Sequence, residues 1–170
     1  MRGPDRTDPC LVSDDARFED GAEVPLNLGA VDAEDLKILS ALAQDAVFPI
    51  TEMRWQARER RFALLLNRFR WEDVPAAERR NRRPERVQAV LSFEGVTRVA
   101  SQGIDRSDGD TILSLLAVEF SETDAPSGHV TLVLAGDGAI RLEVEALEAR
   151  LRDVTRPYLA PSGHVPGHGD

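Results

Sequence analysis

A chain of 170 residues, 42% hydrophobic and 30% charged, has the size and make-up of one globular domain with tails, which excludes wholesale disorder and a fibrous repeat. Thirty acidic against 21 basic residues leave −9 at pH 7, a self-repelling charge that argues against coating DNA or an anionic membrane with the whole surface. A local basic patch remains compatible with that balance.

The elements follow in chain order. Residues 1–30 carry seven acids and three Arg among scattered Pro and Gly, and are expected to form an acidic mobile leader. Asp32 then precedes Leu36, Leu39, Leu42, Ala43 and Ala46, a stripe that predicts a capped helix over 32–46, with Pro49 beyond its end. From Ile50 the period becomes two. Met53, Trp55 and Ala57 face Phe62, Leu64 and Leu66 across the polar link 58–61, which predicts a hairpin. After Leu66 the apolar parity passes to Phe69 and Trp71 while Arg68 and Arg70 take the former core parity, the pattern of a bulge near Asn67.

An Arg-rich connection over 72–86 leads to two strands, one holding Val87, Ala89, Leu91 and Phe93, the next Val96, Val99 and Ile104. Asp105 to Asp110 form a turn cluster, and the run from Thr111 to Phe120, apolar on both parities, predicts a central strand. Val130, Leu132 and Leu134 turn at Gly136-Asp137-Gly138 into Ile140, Leu142 and Val144, the strongest hairpin signal in the chain. Leu147, Leu151 and Val154, with Glu148 and Arg152 four apart, predict a closing helix over 145–154. Residues 157–170, rich in Pro, Gly and His, are expected to form a flexible tail. The fold expectation is α+β over 31–156: about seven antiparallel strands in a bent sheet or a pleckstrin-homology-like (PH-like) barrel, with an N-terminal helix and a closing C-terminal helix.

Several function classes fall away. The longest apolar stretch, Ile112 to Val118, is far short of the ~20 residues of a membrane-spanning helix, and the N-terminus develops no secretory h-region, so the expected compartment is the cytoplasm. Cys10 is the sole cysteine, which excludes an internal disulfide and zinc sites built on two thiolates. The only lysine, Lys37, stands before Ile38, so no P-loop exists. Gly136-Asp-Gly138 begins a dinucleotide fingerprint that Arg141 breaks. Ser127 and His129 share one strand face but lack a third triad member, and His164 and His168 stand in the tail. Asp105, Asp108 and Asp110 lack calcium-loop spacing. Neither a catalytic residue, a metal site nor a cofactor is assigned. Ala-Pro-Ser-Gly-His-Val occurs twice, at 125–130 and 160–165, without a physical account.

Arginine is the one anomaly. Residues 54 to 86 hold 11 Arg and five acids, +6, while the rest of the chain sums to −15. Arg54, Arg61, Arg68 and Arg70, with Trp71 beside them, are the candidate binding residues, because guanidinium forks and stacking suit carboxylates, phosphates or an acidic partner segment. The competing reading pairs these Arg with the chain's own acids.

The segments Asp32-Ala-Glu-Asp-Leu-Lys, Arg58-Glu-Arg-Arg-Phe-Ala-Leu-Leu-Leu-Asn-Arg-Phe-Arg-Trp71-Glu, and Ala125-Pro-Ser-Gly-His-Val-Thr-Leu-Val-Leu with Gly138-Ala-Ile-Arg-Leu-Glu-Val-Glu-Ala-Leu-Glu resemble a bacterial family known as domain of unknown function 2948, over about residues 28–155. The resemblance carries over no catalytic residue. The function expected is a non-catalytic cytoplasmic interaction module that holds an acidic or anionic protein partner through an Arg/Trp face. The alternatives are a small-molecule-binding or enzymatic β-barrel, with an enclosed pocket, and RNA binding through the Arg segment, which the paucity of aromatic residues disfavours.

Overall fold

The computed structural model describes residues 24–159 except 82 and 84. Most of the predicted leader and tail, with Cys10, His164, His168 and the second Ala-Pro-Ser-Gly-His-Val, therefore lies outside the described residues. The elements are β1 (Asn27–Ala30), α1 (Ala33–Ala43), β2 (Ala46–Pro49), β3 (Met53–Gln56), β4 (Arg61–Phe69), α2 (Val74–Arg79), β5 (Glu85–Phe93), β6 (Val96–Gln102), β7 (Ile112–Glu122), β8 (Gly128–Leu134), β9 (Ala139–Val144), β10 (Ala149–Asp153) and β11 (Tyr158–Leu159).

All eleven strands join one antiparallel sheet, ordered β1-β10-β5-β4-β2-β7-β8-β9-β6, with β3 also on β4 and β11 also on β5. β2 meets β4 at a single register pair, Val47 with Asn67, while pairing β7 over its four residues. That narrow joint divides the sheet into two arms. One holds β1, β10, β5, β4 and β3; the other holds β7, β8, β9 and β6. Inward side chains of both arms, Phe62, Leu64, Leu91 and Phe93 from one and Leu115, Val130, Leu132 and Leu142 from the other, belong to one buried cluster with Leu36, Leu39 and Ala43 of α1. α1 packs on β7, β1, β10 and β4, so the N-terminal helix seals this core. Asp32 caps it: its Oδ1 accepts the Asp35 N–H at 2.8 Å.

Seven expected strands are present as β3 to β9, and four more were hidden: β1, β2, β10 and β11. The sheet is open, and the PH-like barrel with a C-terminal plug is not what forms. The stretch expected as a closing helix is strand β10, inserted between β1 and β5. Leu147, Ala149 and Leu151 are buried at period two while Glu148, Arg150 and Arg152 are exposed. A run this short satisfies both the helical and the strand period, and the unpaired edges of β1 and β5 decide between them. Likewise no bulge interrupts β4 at Asn67. β4 pairs β5 in unbroken register from Phe62↔Phe93 to Phe69↔Arg86, so Arg68 keeps the inward parity and lies in the interior. Asn27–Ala30, at the end of the predicted leader, is strand β1.

The turns behave as their chemistry demands. Gly136, between β8 and β9, takes φ +80, a conformation open to Gly with little strain. Asp105 Oδ1 accepts the Ser107 N–H at 2.9 Å, and Asp108 Oδ1 the Asp110 N–H at 3.0 Å, so these carboxylates shape a turn. Among the described residues no group of three His, Cys, Asp or Glu side chains could hold a metal ion, and no helix is long and apolar enough to cross a membrane.

Candidate functional site

The structure splits the predicted Arg/Trp face into two populations. Arg68, inward on β4, is fully buried. Its Nε donates to Asp153 Oδ1 at 2.9 Å, its Nη1 to Glu72 Oε1 at 2.9 Å, and its Nη2 to Glu72 Oε2 at 2.6 Å and Asp153 Oδ2 at 3.1 Å. This is a bidentate fork met by two carboxylates, one from the turn after β4 and one from β10. Burial pulls the Arg68 pKa down, but the hydrogen bonds and charges of Glu72 and Asp153 outweigh it and hold the guanidinium above its ordinary value. Burial likewise pushes the Glu72 carboxyl up, while the hydrogen bond and charge of Arg68, helped by Arg70, bring it below the usual carboxylate range.

Arg70 is also buried. It donates to Glu85 and lies 3.4 Å from Asp73, itself buried. Trp71 sits in the short turn after β4, half-buried, its Nε1 donating to Gln44 O at 2.9 Å and its ring 4.8 Å from Phe69 at 59°. Arg86 covers the other ring contact of Phe69, at 5.7 Å from the centroid. Arg68, Arg70 and Trp71 thus tie the end of β4 to the body of the domain and present no free guanidinium to solvent.

Arg54 and Arg61 remain outside, on the solvent face of the arm formed by β3, β4, β5, β10 and β1. The register runs straight across all five strands: Arg54 faces Ala63, Ala63 faces Ser92, Ser92 faces Arg150, and Arg150 faces Gly29. The next row places Arg152 between Val90 and Asn27. Because Gly29, Ala63 and Ser92 are small, this face holds a hollow of about 870 Å³, open to solvent and lined by Arg61, Arg150 and Arg152 together with Glu94 and Glu148; Arg54 stands on the same face outside that lining. Arg61 bonds Glu94 at 2.7 Å, and Arg150 donates to Asn27 Oδ1 at 2.8 Å. Among the described residues the side chains of Arg54 and Arg152 have neither a hydrogen-bond nor an ion-pair partner. Sequence reasoning missed Arg150 and Arg152, since a helix over 145–154 scatters them. Read as a strand, the same residues share one exposed parity with Glu148.

The other chemical candidates are not assembled. The Ser127 hydroxyl donates to Glu145 O at 3.2 Å, whereas His129 Nε2 lies 3.3 Å from Arg141 Nη2 and 3.7 Å from Glu143. A nucleophile and base in contact are what acyl transfer would need, and this pair is not in contact.

The family model described as Protein of unknown function (DUF2948) matches residues 26–168. The chain belongs to this family. In this DUF2948 member the match begins just before β1 and takes in α1, α2 and every strand, so both the buried Arg68 cluster and the Arg-rimmed hollow lie on the family domain. No curated protein and no solved structure matches the chain.

Proposed function

We propose that this DUF2948 protein is a non-catalytic interaction module of the bacterial cytoplasm, and that the five-strand outer face holds an acidic segment of a protein partner. The observation that carries the reading is the row from Arg54 to Arg150, with Arg152 beside it, over a floor of Gly29, Ala63 and Ser92. A floor of small side chains lets a second backbone approach, and Arg54 and Arg152 are the cations left to meet its carboxylates. Arg68, Arg70 and Trp71 enter this reading as the scaffold that orients β4 and β10 beneath the face. An enzymatic or small-molecule barrel finds less support, because the space between the arms is occupied by a buried apolar cluster and the hollow is an outer one open to solvent.

The test is a titration with a fluorescein-labelled Asp/Glu-rich decapeptide. Arg54→Glu with Arg152→Glu is expected to weaken binding at least tenfold with thermal unfolding nearly unchanged; equal binding by the variant removes the reading. Retention on RNA with a steep salt dependence, abolished by the same pair, would transfer the face to nucleic acid instead.

A further inference from the structure

Among the described residues four strands keep one side unpaired in the sheet: β1, β3, β6 and the two-residue β11. β1 and β3 are four residues long, whereas β6 has seven. β6 has no Pro and no Lys, Arg98 is its one charge, and its single irregularity, a register shift between Val96 and Arg98, falls at its start and leaves 98–102 in regular pairing with β9. Only its first residue is engaged away from β9. The Val96 N–H donates to Arg60 O at 2.9 Å, and among the described residues the backbone of 97–102 then bonds β9 alone. The rest of that edge is an exposed row of peptide groups.

Beside it lies a second hollow, on the opposite arm from the five-strand face. Its floor is Ala100, Ala139 and Thr131, and Arg98, Arg141 and Glu143 surround it. Ala100 sits directly across from Arg141 and Arg98 across from Glu143. Even so, Arg98 makes no ion pair among the described residues, and the polar contact of Arg141 is the His129 ring. A residue on a strand added outside β6, facing Ala100, would be the diagonal neighbour of Arg98. Arg141 would reach it over the Ala100 methyl, about two strand spacings of ~4.8 Å away. On the inward parity Val99 is half-buried against the core, so the added strand would set an apolar side chain there.

We propose that β6 is a strand-addition site for an extended segment of another protein in which apolar and acidic residues alternate. Its backbone continues the ladder of β6, and one carboxylate is taken by Arg98 and Arg141. The site is independent of the five-strand face, and its partner is defined by two chemistries at once: free peptide groups for affinity, and a paired guanidinium for register.

The probe is the labelled peptide acetyl-Thr-Val-Glu-Val-Glu-Val-Thr-amide, followed by fluorescence anisotropy and by hydrogen exchange of the full chain. Binding with slowed exchange of amides in 97–102 is expected. Arg98→Glu with Arg141→Glu should weaken it at least tenfold, Ala100→Glu should weaken it by setting a like charge opposite the incoming carboxylate, and Arg54→Glu with Arg152→Glu should leave it unchanged. The same peptide with Lys for Glu should not bind. No binding at ~1 mM peptide, binding without protection of 97–102, or undiminished binding by the Arg98/Arg141 variant each overturns the proposal. So does concentration-dependent protection of those amides without peptide, which would assign the edge to a second copy of the chain.

Discussion

Arg68 and Asp153, 85 positions apart in the chain, meet inside the domain with Nε 2.9 Å from Oδ1, both side chains withdrawn from solvent. Asp153 Oδ2 also accepts the Leu26 N–H at 2.9 Å, so one carboxylate ties the strand before α2 to the segment that opens β1. Glu72 closes the cluster from the turn after β4. A buried ion pair of this kind need not stabilise more than apolar packing would, but it is costly to break, because removal of one partner strands the other.

Arg68→Met is therefore expected to destabilise the domain by about 3–5 kcal/mol, since the apolar stem is retained while Asp153 is left uncompensated. Chemical denaturation checks this. A loss under about 1 kcal/mol would mean that solvent reaches the site freely in solution.

Acid should act through Glu72. Its folded pKa is held below the ordinary 4.5, so its contribution is fully present above that value and is lost as pH falls through the lower folded pKa. Stability measured from pH 5 downward should fall less steeply in Glu72→Gln than in the wild type, at the expense of a lower plateau near pH 7. Parallel profiles for the two proteins would contradict the assignment.

Ser40 on α1 accepts the Val118 N–H of β7 through its Oγ at 2.9 Å, satisfying a donor where helix and strand meet. Ser40→Ala leaves that N–H unpaired in a half-buried place and should cost about 1–3 kcal/mol. Faster exchange of the Val118 amide is the specific readout.

Gly128 begins β8 where a Cβ would stand 2.5 Å from Ser121 O and 2.6 Å from the Phe120 ring. Backbone cannot yield as a flexible side chain would. Gly128→Ala should lose about 1–3 kcal/mol or more, whereas Gly136→Ala meets no steric obstacle and is penalised only through its φ of +80. Thermal unfolding of the two variants side by side separates clash from conformation.

The strands β3 to β9 were readable because local turn chemistry bounds runs of apolar residues, alternating in most of them and apolar on both parities in β7. Met53 and Trp55 share a face with Leu64 and Phe62 as their parity implied, although the link expected over 58–61 starts one residue earlier, so that Ala57 lies in the turn and Trp55 rather than Ala57 faces Phe62; Gly136-Asp137-Gly138 turns β8 into β9 as expected. The candidate site was legible only in part. Arg54 and Arg61 stand outside where a binding face needs them, but Arg150 and Arg152 were concealed in a run whose apolar spacing suits two periods. Arg68 and Arg70 were charged residues at core positions, and no local rule distinguishes a corner in the strand from a guanidinium carried inside.

The sequence by itself determined the local periods, the Asp32 cap, the turn glycines and the concentration of Arg between 54 and 86, because each depends on residues within a few positions of one another. Tertiary structure alone decided that 149–153 is a strand, that Arg68 is buried, and which Arg face solvent. Those outcomes depend on partners supplied from far along the chain: β1 and β5 flanking β10, and Asp153 meeting Arg68. A backbone edge or a buried charge is stable only when such a partner arrives.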